Sequence, residues 1–399
     1  MGHPIMRAEA WPLSEPEIAE LINTLCFAFY KWDAEACGKR LILTDSVVLT
    51  RAEHEQVVAI CLRLDAILGR LEAALLAQPA LLTQLGIPPA LIPFLTREQP
   101  DDLQLARYDV FLTPEGRWMV SEFNEDVPGG FNEADGLPSL LGPRLTNLAF
   151  TGGLRRAILD ALRPYPRIAL LYATGYAEDL QHMLIIRKWL EHEGHETVLA
   201  APIHLTCRWR GPRFFQTPVD AAFRFYPGEW FQWLANLTTW KRALPRLPMM
   251  NPLRRLIRQS KRLYALWHHP DLLDADDRAF LAEHTPSTLP LERVVTIEDR
   301  SRWVLKNAFG RMGDTVFMGN LAHDKNWEEA LTHARKQPRE WLLQERFDVS
   351  PLRDGGQPFY PSLGVYLVNH AFAGYYSRAA HQPFINHEAY HVATLVEAA

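Results

Sequence analysis

Two short apolar runs constrain this chain more than any other feature: Tyr108 to Leu112 and Trp118 to Phe123, separated by Pro114-Glu115-Gly116. Runs rich in aromatic and β-branched residues on either side of a Pro/Gly turn read as an antiparallel hairpin. On that hairpin Asp109 and Glu122 face each other across the ladder. Glu122 and Asn124 are two residues apart, so their side chains leave the same face of the strand. Three oxygen ligands thus converge on one surface, the ligand type that Mg²⁺ prefers when it keeps waters and bridges substrate phosphates. A merely solvated hairpin is the poorer account, because like carboxylates placed opposite each other repel unless a cation lies between them. Pro128-Gly129-Gly130 adds a tight turn beside the site.

A second constellation lies far downstream. Arg302-Trp-Val-Leu-Lys306 has a buried-strand pattern ending in a lysine, and a glycine loop follows with Arg311 between Gly310 and Gly313. A Gly-x-x-Gly loop after a strand also describes an ordinary hairpin turn. Beside a metal-binding hairpin it gains another meaning. The glycines let backbone N–H groups approach phosphate oxygens, while Lys306 and Arg311 supply fixed positive charge. The loop from Gly310 to Gly319 is also the natural lid.

With both constellations in view, the chain resembles the glutathionylspermidine synthetase-like group of ATP-grasp carboxylate–amine ligases, the branch whose ATP-grasp elements are circularly permuted. The resemblance rests on Arg107-x-Asp109, Glu122-x-Asn124, Pro128-Gly129-Gly130, Lys306 with Gly310-Arg311-x-Gly313, Gln344-Glu345, and Leu363 to Asn369 leading to Arg378. It implies that Asp109, Glu122 and Asn124 hold Mg²⁺ ions bridging the phosphates of ATP. It implies catalytic roles for three arginines: Arg107 beside the reacting acyl group, Arg311 over the γ-phosphate, and Arg378 near the reaction centre. Lys306 and Lys261 match the lysines that reach the nucleotide phosphates, Gly310 and Gly313 the mobile loop, and Gln344-Glu345 the segment that meets adenine. Taken by itself, Lys261 in the basic stretch from Arg254 to Arg262 also reads as part of a solvated helix. Asn307 stands where the family usually has proline and Met312 where it often has glutamate. Those departures spare the ligands but leave the substrate open, so glutathione and spermidine are not assumed. Bifunctional members carry an extra N-terminal amidase domain, and none is expected here.

The fold class implied is α/β (α+β): a circularly permuted ATP-grasp fold with a helical N-terminal region and a βαβ subdomain. Glu53 to Leu76 has apolar residues at the spacing of a helix with one buried face. Residues 14–85 read as mostly helical. Arg167 to Ala200 reads as strand, helix, strand, with Gly194 as the helix stop. Thr174-Gly175 ends the first strand, where open α/β sheets bind ligands. The aromatic-rich segment from Phe223 to Trp230 reads chiefly as core, with Arg224 and Glu229 as lesser candidates for substrate contact. The expected division is 1–100 helical, 101–165 metal-binding, 166–215 α/β, 216–300 a linking helical segment, and 301–399 nucleotide-binding.

A chain of 399 residues, 48% hydrophobic, can bury a large core in two or three domains. Its net charge of −5 argues against a general nucleic-acid binder. No apolar stretch is long enough to span a bilayer, and a cytoplasmic protein is inferred. Cys26, Cys37, Cys61 and Cys207 lack metal or disulfide-scaffold spacing, so reduced thiols are expected. His192 to Glu196 is better explained as a capped helix end than as zinc ligands. Neither a Gly-x-Ser-x-Gly elbow nor a Walker loop is present. The chemistry indicated is ATP- and Mg²⁺-dependent joining of a small-molecule carboxylate to an amine. A non-catalytic nucleotide-binding scaffold and a small-molecule kinase are the alternatives, and the oligomeric state is left open.

Overall fold

The computed structural model describes residues 6–36, 38–96, 103–149, 152–209, 211–269, 271–311, 313, 315–353 and 356–398. Cys37, Met312 and the expected boundary near residue 100 therefore lie outside the described residues.

The hairpin that dominates the sequence is real and is not isolated. Strands Leu105–Leu112 and Trp118–Asn124 form one edge of an eight-stranded sheet. Inward from that edge come Tyr360–Val368, Ala371–Ala380, Tyr390–Glu397, Ile42–Leu49 and Arg7–Ala10, and the short strand Leu148–Ala149 pairs with Tyr390–Glu397 off this path. Pairing of Tyr360–Val368 with Leu105–Leu112 sets Gly364 opposite Asp109. This neighbour relation brings the last motif of the sequence against the first. Gly364 is required there: a Cβ would lie 2.3 Å from the Tyr376 carbonyl oxygen and 2.8 Å from Cδ of Arg107, in the space that the arginine side chain crosses.

Helix Arg51–Ala77 covers the sheet. Thr50 caps it, accepting from the Glu53 N–H at 3.2 Å while the Glu53 carboxylate accepts from the Thr50 N–H at 2.9 Å. Val57, Ile60, Cys61, Leu64, Ile67, Leu68, Leu71 and Leu75 form its buried face in the main core. Residues 14–85 are mostly helical, as read from the sequence, but strand Ile42–Leu49 lies between the helices, and its partner Tyr390–Glu397 runs parallel to it from the far end of the chain. Residues 1–100 are thus partly sheet.

Two smaller sheets flank the cleft. One is parallel, ordered Met249–Met250, Ala221–Arg224, Arg167–Leu171, Glu196–Ala200, with helix Ala177–His192 as the crossover between the last two. It extends past residue 215, because two of its strands come from the segment expected to link by helices. The other is antiparallel, ordered Thr288–Pro290, Trp341–Glu345, Trp303–Asn307, Val316–Met318. Between them, the stretch expected as one basic helix is broken into turns at Leu253–Arg255, Leu256–Gln259 and Lys261–Leu266. Arg255, Arg258, Lys261 and Arg262 are buried rather than solvated. Arg258 bonds Glu72 at 2.6 Å and Asp65 at 3.1 Å, both on helix Arg51–Ala77. Arg262 bonds Glu292 and the Trp341 carbonyl. Among the described residues no helix is long and apolar enough to cross a membrane.

Candidate active site

A cleft of about 450 Å³ opens where the hairpin edge, the parallel sheet and the small antiparallel sheet meet. Arg107, Asp109, Glu122 and Asn124 line it from the hairpin, and Lys306 and Gln344 from the antiparallel sheet. Arg311 and Gly313 come from the glycine loop, Arg378 from strand Ala371–Ala380, and Glu345 from the end of Trp341–Glu345. Gly310 and Lys261 stand just behind this wall: Lys261 Nζ donates to the Gly310 carbonyl at 2.7 Å and pairs with Glu122 at 2.9 Å.

The register places Asp109 directly across from Glu122, with Asn124 across from Arg107. Each carboxylate has its own cation. Arg107 grips Asp109 in a two-pronged bond at 2.8 and 3.1 Å, and Lys261 holds Glu122. Asn124 Nδ2 donates to Asp109 at 3.1 Å, which leaves the amide oxygen as its ligand atom. Burial works to raise the Glu122 pKa, but Lys261 and Lys306 outweigh it and hold the group below its usual range. Two carboxylates and one amide oxygen on a single face are a donor set suited to Mg²⁺ with waters and phosphates completing the shell. Among the described residues, no three His, Cys, Asp or Glu side chains cluster as a metal site. The third ligand here is an amide. The residues fit the ion.

The wall that carries Lys306 and Arg311 is built on buried charge. Lys306 is 8% exposed and donates to the Gln344 side-chain oxygen at 2.6 Å. Its pKa falls to about 8, chiefly through burial and with help from the like charge of Lys261, against the pull of Glu122. Arg311 bonds both carboxylate oxygens of Glu229, one at 2.9 Å, and reaches Asp126 at 3.2 Å. Asp126 is itself anchored by Arg224, fully buried and 2.7 Å away. Sequence reasoning left Arg224 and Glu229 as core residues or substrate contacts. In the structure they hold the loop arginine in place over the cleft. Arg378 donates through one nitrogen to the carbonyls of Asn386 at 2.9 Å and Ala389 at 2.7 Å, and the Glu345 carboxylate pairs with Arg302 at 3.1 Å.

Several contributors escaped the sequence. Gln259 accepts from the backbone N–H groups of Glu125 and Asp126 at 3.0 and 2.9 Å, fixing the strand end that carries Asn124. The Gly129 carbonyl accepts from Arg107 at 2.8 Å and from the Tyr366 hydroxyl at 2.5 Å, so the Pro-Gly-Gly turn is tied to the site. Gly130 has φ 102° and lies against the Tyr376 ring, where a Cβ would come within 2.5 Å. The Tyr376 ring in turn sits under the Arg107 guanidinium, 5.0 Å from its carbon. On the opposite wall, Tyr176, Glu178 and Asp179 project from the start of helix Ala177–His192 and the loop before it. Burial lifts the Asp179 pKa to about 7, and neighbouring Glu178 adds to the rise. The only sequence signal for this wall is Thr174-Gly175 at a strand end.

The model of the family described as glutathionylspermidine synthase preATP-grasp matches residues 13–397. No curated protein matches the sequence. Among solved structures, a glutathione synthetase like-effector from Globodera pallida in apo form aligns with a TM-score of 0.66 at 12% identity, over 98% of this chain and all of that one. That likeness establishes a shared fold. A putative gamma-glutamylcysteine synthetase from Methylobacillus flagellatus aligns over 81% of this chain and 86% of its own at 13% identity, but its TM-score of 0.44 is too low to bear on the reading.

Proposed function

Since the chain belongs to the glutathionylspermidine synthase preATP-grasp family, a family of synthetase-type ligases, we propose that it joins a carboxylate to an amine at the expense of ATP, releasing ADP and phosphate. The observation that carries this reading is the meeting, in one cleft, of the oxygen face Asp109, Glu122 and Asn124 with Lys306, Arg311 and Arg107. A binding scaffold has no physical reason to bury such a set together.

A carboxylate does not react with an amine in water because its leaving group would be oxide. Transfer of the γ-phosphoryl group to a carboxylate oxygen expels ADP and converts that oxygen into part of a phosphate that can leave. Such a transfer asks the protein mainly for position and charge. Lys306 and Lys261 would hold the phosphates, and Arg311 would exchange its bonds to Glu229 and Asp126 for the γ-phosphate. Gly310 and Gly313 flank that arginine in the lid. Strand Trp341–Glu345, with Gln344 and Glu345, would receive the adenine. When bound, Mg²⁺ would neutralise phosphate charge at Asp109, Glu122 and Asn124. The amine nitrogen then attacks the acyl carbon, phosphate leaves, and the nitrogen loses a proton. Arg107 and Arg378 would stabilise the oxyanion of that step. The lid excludes the water that would destroy the acyl phosphate.

In this proposal the metal part of the ATP-grasp unit, residues 101–165, precedes the nucleotide part, residues 301–399, which is the circularly permuted order. An amino acid or short peptide suits the cleft as carboxylate or amine donor. The unpaired thiols of Cys26, Cys61 and Cys207 support a cytoplasmic setting. The test is substitution of the metal face. Asp109→Ala and Glu122→Ala should each abolish ATP turnover while the circular dichroism spectrum is kept; full turnover in either variant would refute the reading.

A further inference from the structure

Behind Tyr376 and the Gly129-Gly130 turn lies a buried cluster that the phosphate chemistry does not use. Glu133, in the first turn of helix Phe131–Leu141, is 4% exposed and lines the cleft. One of its oxygens, Oε1, is held by Lys31 at 2.6 Å and by the His391 ring at 3.0 Å. The other, Oε2, is buried and has no hydrogen-bond partner among the described residues. Lys31 is also paired with Asp33 at 2.7 Å. Burial keeps His391 neutral, since its pKa is driven well below the usual histidine range with Lys31 and Arg378 adding to the effect. His182 is likewise lowered by burial, and its Nε2 is occupied as acceptor for the Gly130 N–H at 2.7 Å. The group therefore contains one full positive charge, Lys31, against two carboxylates.

A buried carboxylate oxygen without a donor is costly, and native proteins retain such groups where a ligand completes them. Here the missing partner must donate a hydrogen bond, as an amine or ammonium N–H does. The opposite wall repeats the preference with Glu178 and Asp179, while the aromatic faces of Tyr176, Phe225 and Trp230 complete the lining on that side. Of the cations lining the cleft, Arg107 is paired with Asp109, Arg311 with Glu229 and Arg346 with Asp348, while Lys306 and Arg378 donate to neutral oxygens of Gln344 and of the backbone.

From this geometry we propose that Glu133 Oε2 is the receptor for an amino nitrogen of the substrate, taking a primary ammonium or amine N–H at the floor of the cleft, beside Tyr376 and Arg107. The inference rests on the ligase reading for the meaning of the amine, but not for its existence as a binding site. Lys31 is then a positioning residue. It holds Oε1, so that Oε2 alone is presented.

Binding can be tested without turnover. n-Butylammonium, n-butanol and butyrate are titrated calorimetrically into the full chain at pH 7.5. The expected result is heat from the ammonium alone, with affinity falling about tenfold or more in Glu133→Gln, as removal of a charge-assisted bond requires, while Mg-ATP binding is unchanged. Because Glu133→Gln leaves Lys31 buried beside a neutral group, Lys31→Met combined with Glu133→Gln removes both charges together. That double variant should fold and should also have lost the ammonium affinity. Equal ammonium affinity in wild type and in a folded Glu133 variant, equal binding of butanol, or no ammonium binding by the wild type overturns the proposal. Each of these leaves the ligase reading standing if ADP release still depends on substrate; loss of ATP turnover in the wild type with ammonium binding intact would do the reverse.

Discussion

Lys306 is the cation whose burial costs the free protein most visibly, and replacing it with methionine should separate stability from nucleotide binding. Its pKa drops from the ordinary 10.5 to about 8, mainly because the charge is removed from water. That difference corresponds to about 3 kcal/mol of native-state cost at neutral pH. Lys306→Met removes the cost but strands the Gln344 side-chain oxygen that the lysine meets at 2.6 Å, a loss of about 1–2 kcal/mol. The net expectation at pH 7 is a variant more stable than wild type by about 1–2 kcal/mol, or about 2 °C in melting temperature for a chain of this size. The sign reverses with pH. The folded-state pKa lies below the unfolded one, so the folded protein binds fewer protons between about pH 8 and 10.5. Wild-type stability must therefore rise through that window by up to about 1.4 kcal/mol per pH unit relative to the variant. The stabilising effect of methionine should vanish near pH 9 to 10. In parallel, affinity for Mg-ATP should fall about 10- to 100-fold through loss of a charged bond to phosphate. Calorimetric melting at pH 7 and pH 9.5, with equilibrium nucleotide binding, reads all three effects. A methionine variant that melts below wild type at pH 7, or a difference indifferent to pH, would refute the reasoning.

Other outcomes follow from the same contacts. Arg224→Met should destabilise by about 1–3 kcal/mol in urea, because buried Asp126 loses its partner at 2.7 Å and, among the described residues, keeps only Arg311 at 3.2 Å and the Gly228 N–H. Gln259→Leu removes the acceptor of two buried N–H groups and should cost about 2–4 kcal/mol, with a matching loss of turnover as Asn124 shifts. Gly364→Ala should lower both stability and turnover, since its Cβ would lie 2.3 Å from the Tyr376 carbonyl oxygen and 2.8 Å from the Arg107 side chain; equal turnover in the folded variant would show that Arg107 need not stand where it does.

Much of the site was legible because it was local. The hairpin register that opposes Asp109 to Glu122 follows from one Pro/Gly turn and a period of two, and Lys306 with its glycine loop is a single strand and turn. Residues 253–266 were opaque for the opposite reason. A run of arginines looks solvated until Asp65 and Glu72, on a helix remote in sequence, neutralise it inside the core. Strand Ile42–Leu49 was hidden between helices because its parallel partner is Tyr390–Glu397, and its central Ser46 is buried against the Trp11 indole at 3.0 Å. Glu133 and Glu229 carry no motif. Their places are set by how the first turn of a helix and a short 3₁₀ turn face the cleft, which no spacing along the chain encodes.

The central claim is the reaction itself, and the direct measurement is ADP release from Mg-ATP in the presence of pooled carboxylates and amines, with products examined by mass spectrometry. The account predicts ADP only with a particular carboxylate and amine together, and a product lighter than their sum by one water. Binding of ATP with no ADP from any pool, or a phosphorylated product in place of an amide, would contradict it.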